Sequence, residues 1–132
     1  MKKNLLNILL IFCIAFDASY ADSKELIKQF SGSGTAVTTE FEVRAPWILD
    51  WRVNSEYQQS MAIEISLIDS STGFLSGLII QTKYVGNGLK LFQEGGKYRF
   101  RISSTLANWY LKVEEITEAE IELYKGRLIY EP

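Results

Sequence analysis

The side chains that could carry chemistry in this chain are carboxylates and aromatics, because its 132 residues include no histidine and a single cysteine, Cys13. That excludes a Ser-His-Asp or Cys-His nucleophile pair and removes the usual zinc and copper ligands. Acid–base work would fall to the 16 Asp and Glu residues. A pair flanking a glycosidic bond, for instance Asp50 with Glu64, would suit a small carboxylate-based hydrolase. Outward carboxylates facing Arg52, Arg99 and Arg101 across a sheet read better as cross-strand ion pairs. The densest acidic group is Glu114, Glu115, Glu118, Glu120 and Glu122. Calcium takes several oxygen ligands, but its loops alternate Asp and Asn around a glycine, and this stretch has neither. Glutamates at a helix start are explained by the helix dipole and by solvation. No metal and no cofactor is expected.

Among the aromatics, Trp47, Trp51, Trp109 and Tyr110 would make a sugar-stacking platform if they were exposed in a row, as a carbohydrate-binding module requires. Trp47, Trp51 and Trp109 share their faces with Leu49 and Leu111, which makes them core residues. Tyr110 falls on the opposite face and is the better surface candidate. Tyr57, Tyr84 and Tyr130 are others without a distinctive setting.

These residues must be positioned by strands. In Phe41–Val53, Trp47, Leu49, Trp51 and Val53 point one way and Ile48, Asp50 and Arg52 the other, the period-two pattern of a strand with one buried face. Similar alternation appears over 38–44, 61–68 and 98–103, and over 109–114. Residues 24–30 read as an edge strand or a helical turn, with strand preferred, and 78–85 as a further strand. Asn87-Gly88 is a two-residue hairpin signal, with 89–93 as the returning arm. Ser31-Gly32-Ser33-Gly34 reads as a turn or bulge rather than a phosphate loop, which would need a Lys-Ser/Thr pair. Pro46 interrupts one ladder for want of an amide proton. The fold predicted is all-β: a single antiparallel β-sandwich of about eight short strands with a short C-terminal helix.

The helix is expected over Glu118–Lys125, with a hairpin turning at Lys125-Gly126 as the alternative because Ile121 and Leu123 also alternate. Thr117 and Glu120 fit a capping box, Ile116 and Ile121 a hydrophobic staple, and Gly126 a left-handed stop. It should dock through Ile121 and Tyr124 or Leu128, leaving Glu118 and Glu122 in water. With Tyr110, these two glutamates are the candidate partner-binding residues.

At the other end, Lys2 and Lys3, an apolar run over Leu5–Phe16 and the small residues Ser19 and Ala21 compose a signal peptide cleaved after Ala21. The run is shorter than the roughly 20 residues that span a membrane. Cys13 lies inside it, so the mature chain would contain no disulfide. The expected organisation is therefore a leader over 1–21, a β-sandwich over 22–116 and a helix and tail over 117–132. Export would place the protein in the periplasm or outside the cell. Cleavage makes the net charge of −2 one unit more negative, since Lys2, Lys3 and Asp17 leave. With no basic run, nucleic acid is not an expected partner.

The pattern Phe30-x-Gly32-x-Gly34, Thr38-x-x-Phe41-x-Val43, Trp47-x-Leu49-x-Trp51, Gly96-x-Tyr98-x-Phe100-x-Ile102 and Trp109-x-Leu111-x-Val113 resembles a group of small exported bacterial β-sandwich proteins. The resemblance covers Phe30–Val113 and implies a fold in which the late tryptophan strand closes a sheet begun by the early one. It involves core and turn positions, so it assigns no residue a role. The leading expectation is a non-enzymatic exported module that binds an envelope protein or polymer. A carbohydrate-binding module and a carboxylate-based hydrolase are the alternatives.

Overall fold

The computed structural model describes residues 24–128, so the leader, its cleavage point and Tyr130 lie outside the described residues. The expected all-β sandwich is present. One sheet has the strand order β1 (Glu25–Ser33), β9 (Asn108–Glu115), β4 (Trp47–Asn54), β7 (Gly86–Phe92). The other has the order β2 (Ala36–Val37), β8 (Gly96–Thr105), β5 (Ala62–Asp69), β6 (Leu75–Thr82), with β3 (Phe41–Val43) also pairing β8. Every pairing is antiparallel.

The core lies between the sheets. It joins Trp47, Leu49, Val53, Trp109, Leu111 and Val113 of the first sheet to Ile63, Ile65, Leu67, Phe100 and Ile102 of the second. Each of these residues alternates with an outward neighbour, so one apolar stripe per strand suffices to bind the layers together. Short side-chain bonds end the strands. Asn54 Oδ1 accepts from the Ser55 amide (2.8 Å) after β4, and Asp69 Oδ1 from the Ser71 amide (2.8 Å) after β5.

Three local expectations change. Gly32 belongs to β1, and the turn comes at Gly34, whose φ is +75°. A side chain at Gly32 is excluded by packing, since a Cβ there would lie 2.6 Å from the Trp109 ring. Asn87-Gly88 lies inside β7 rather than in a hairpin, and β6 and β7 belong to different sheets. The chain instead crosses between the sheets at Lys83–Val85, where Thr82 Oγ1 accepts from the Tyr84 amide (3.1 Å). Finally, the expected strand over 38–44 shortens to β3, and the separate pairing of β2 brings the strands to nine. The Thr38 side chain stands in for a ladder partner: its Oγ1 accepts from the Phe100 amide at 2.9 Å.

After β9, a single 3₁₀ turn (Glu118–Glu120) leads into α1 (Ile121–Leu128). Glu120 Oε1 accepts from the Thr117 amide (3.0 Å) and hydroxyl (3.2 Å), so the N3 glutamate reaches back to the N-cap as the expected capping box requires. The helix does not stop at Gly126 but continues to Leu128. It lies along β7, an edge strand of its sheet, with Ile121 and Tyr124 half-buried. Ile48, buried on the outer face of β4 and outside the central core, sits opposite Leu91 of that strand. Helix and outer sheet face thus form a second, smaller apolar contact. Lys24, just before β1, joins this contact. The charge of Glu114 and a hydrogen bond with Tyr124 raise its ammonium pKa above the usual value.

Candidate functional site

The three tryptophans divide by the way they are sealed. Trp47 is fully buried, stacks on Phe92 (centroids 4.0 Å apart, planes 10° apart) and donates its indole N–H to the Glu94 carbonyl at 2.9 Å. Trp109 is buried against Gly32 and donates to the Gly34 carbonyl at 3.0 Å. Trp51 differs from both. It is half-buried, and its N–H has no partner among the described residues. The cause lies in the register, because Trp51 and Val53 face Gly88 and Gly86 of edge strand β7. With no side chain at either glycine, the ring stays open toward the flank of the sandwich.

A groove of about 920 Å³ opens there. It is bounded by Trp51, by Thr82, Tyr84 and Gly86 where the chain crosses between sheets, and by Glu64 and Ser103 of the second sheet. Its size lies within the range of small-molecule sites, roughly 300–1,000 Å³. The side chains of Glu64, Gln81, Asn87, Ser103 and Thr105 also line it, and none has a hydrogen-bond partner among the described residues. From β7 the Lys90 ammonium crosses to donate to the Leu78 carbonyl of β6 (3.1 Å), tying the edges of the two sheets together.

The groove is therefore lined by an indole together with amides, hydroxyls and a carboxylate that have no hydrogen-bond partner among the described residues. It can accept a ligand with one apolar face and many hydroxyls. No family model matches the chain, and no curated protein does. One solved structure that resembles it is a carbohydrate-binding module from Cellvibrio mixtus lichenase 5A in complex with cellotriose. Its TM-score is 0.39 and its identity 12%, over 74% of this chain and 89% of that one.

The residues singled out from sequence are dispersed. Tyr110 is exposed, as expected, on the outer face of the first sheet, where it borders a depression of about 600 Å³ with Gln29, Asp50, Arg52 and Lys112. Glu118 and Glu122 are exposed at the 3₁₀ turn and in α1, and Glu122 meets Lys125 at 3.5 Å. Asp50 and Glu64 cannot act on one bond: the first faces outward from one sheet and the second outward from the other. Asp50 instead contacts Arg52 on its own strand at 3.8 Å.

The acidic group also separates. Glu114 is buried beside Lys112 (4.0 Å), whereas Glu115 accepts from the Arg44 amide (2.7 Å) and Glu120 turns back to Thr117. Among the described residues no three carboxylates converge as a metal would require. Sequence reasoning placed Trp51 in the core with the other two tryptophans; it does pack against the core, but its partial exposure was missed. The available signal was Gly86-x-Gly88, two glycines spaced to face one side of a strand.

Proposed function

We propose that the protein is a non-catalytic binding module whose groove at Trp51 takes a carbohydrate chain. One observation carries this reading: among three tryptophans on the core faces, the one with an unpartnered indole N–H forms the floor of a groove ringed by uncommitted polar side chains. A pyranose ring offers apolar C–H groups on its face and hydroxyls around its rim. An indole can cover the face while amides, hydroxyls and Glu64 meet the rim. Export through the leader of residues 1–21 would set this groove against polymers of the cell envelope, and the intact mass of the secreted protein checks that step.

The test combines a glycan array with tryptophan emission. Wild type should bind a defined set of array glycans and show quenched, shifted emission with them. Trp51→Ala should fold and lose both responses, whereas Trp51→Phe should retain part of the affinity. If Trp51→Ala binds the array like wild type, the groove is not the site. If the wild type binds no glycan, carbohydrate is not the ligand.

A further inference from the structure

Across β7 from the groove, on the outer face of the first sheet, lies the separate depression of about 600 Å³ at Tyr110. Asn87, one of the groove's lining residues, points to the outer face of the first sheet and is followed across the strands by Arg52, Tyr110 and Ser31. Beside this row runs a second, in which Asp50, Lys112 and Gln29 occupy successive strands on the same face. The helix covers the far part of this face near Ile48 and leaves these rows open. Neighbouring strands lie about 4.8 Å apart, so Asn87 to Ser31 spans about 14 Å, the reach of a short oligosaccharide.

The chemistry of the rows differs from that of the groove. Two cations flank the exposed Tyr110 ring: Arg52 directly opposite on β4 and Lys112 two residues along β9. Their ion contacts, Arg52 with Asp50 at 3.8 Å and Lys112 with Glu114 at 4.0 Å, stand at the outer limit for a pair, so both heads keep donors free. The Gln29 and Ser31 side chains and the Tyr110 hydroxyl have no partner among the described residues. In a chain of net negative charge, cations beside a surface aromatic favour a ligand that carries carboxylates as well as sugar rings. The guanidinium fork matches a carboxylate geometrically, and Asp50 can accept from sugar hydroxyls.

We infer that the ligand of the groove is a carboxylate-bearing glycan, and that the same chain continues over Asn87 onto the Arg52–Tyr110 row. This rests on the groove reading and extends it in length and charge. The experiment titrates the full chain with trigalacturonate, hexagalacturonate and the methyl ester of hexagalacturonate, reading tryptophan emission and heat. The hexamer should bind about tenfold more tightly than the trimer, the size of one charge-assisted hydrogen bond. Its methyl ester should lose that gain. Arg52→Gln and Tyr110→Ala alter exposed side chains; they should bring the hexamer down to trimer affinity and leave the trimer unchanged.

Equal affinity for the acid and its ester overturns the carboxylate assignment. Unchanged hexamer binding in both variants overturns the continued path while leaving the groove in place. Absence of any binding to hexagalacturonate also overturns the inference, and the groove reading falls with it only if array glycans fail to alter the tryptophan emission that Trp51→Ala removes.

Discussion

Trp47 and Trp51 lie four residues apart on one face of β4, yet they live in different environments. Opposite Trp47 the edge strand supplies Phe92, and the stacked pair is capped by the Glu94 carbonyl, which also accepts from the Tyr98 hydroxyl (3.3 Å). Phe41 packs against both Trp47 and Phe100, which closes that end with aromatic rings. Opposite Trp51 the same edge strand supplies Gly88, and the ring borders a groove. The difference shows that alternation along a strand selects a face, whereas the cross-strand neighbour decides whether an aromatic on that face is sealed or left half-exposed.

The strongest way to break this comparison is to truncate both rings. Trp47→Ala should cost about 3–5 kcal/mol, since it empties a sealed space and removes one of the two donors to the Glu94 carbonyl. Trp51→Ala should cost about 1–2 kcal/mol, because its ring is partly hydrated already. Urea midpoints of the two variants check the contrast; equal losses would erase the distinction between the ends.

A second change tests whether glycine beneath a tryptophan always means openness. At Gly32 the Trp109 ring already fills the space, so Gly32→Ala should destabilise by about 1–3 kcal/mol through overpacking. Thermal melts of this variant should show a lowered Tm with glycan binding retained by the folded fraction.

Alkaline pH should weaken the sealed end and the helix contact before the groove. Burial, with the charges of Glu94 and Asp69, raises the Tyr98 phenol, and Glu114 chiefly raises the Lys24 ammonium. Both groups hold their protons to higher pH folded than unfolded. Their contribution is complete below roughly pH 10 and disappears as pH rises through the folded values. The urea midpoint should therefore fall above that pH, and the fall should be shallower in Tyr98→Phe and in Lys24→Met.

The smallest stability effect belongs to Gly86→Leu. A Cβ at Gly86 meets no atom within 4 Å, so the side chain should enter the groove with a stability change within about 0.5 kcal/mol. Binding should drop nonetheless, and Trp51 emission should shift to the blue. A variant that binds like wild type would show that the space above Gly86 is not used.

Much of the fold was legible because strand chemistry is local. The alternation over Trp47–Val53 and Trp109–Val113 fixes which side chains can share a core, and Thr117 with Glu120 marks the start of the helical segment wherever the rest of the chain lies. For the same reason Tyr110 could be placed on an outer face from its own strand. The exclusion of histidine- and cysteine-based chemistry needed composition alone.

What sequence did not supply were the relations between strands distant along the chain. Asn87-Gly88 has the local form of a hairpin, but β7 pairs with β4, and this non-local register sets the two glycines against Trp51 and Val53. Asp50 and Glu64 each read as outward carboxylates, and only the assignment of β4 and β5 to different sheets separates them. Alternation determines the face of each residue because successive side chains point to opposite sides of one strand. Tertiary structure alone decides what stands opposite, because pairing depends on how both sheets bury their apolar faces together.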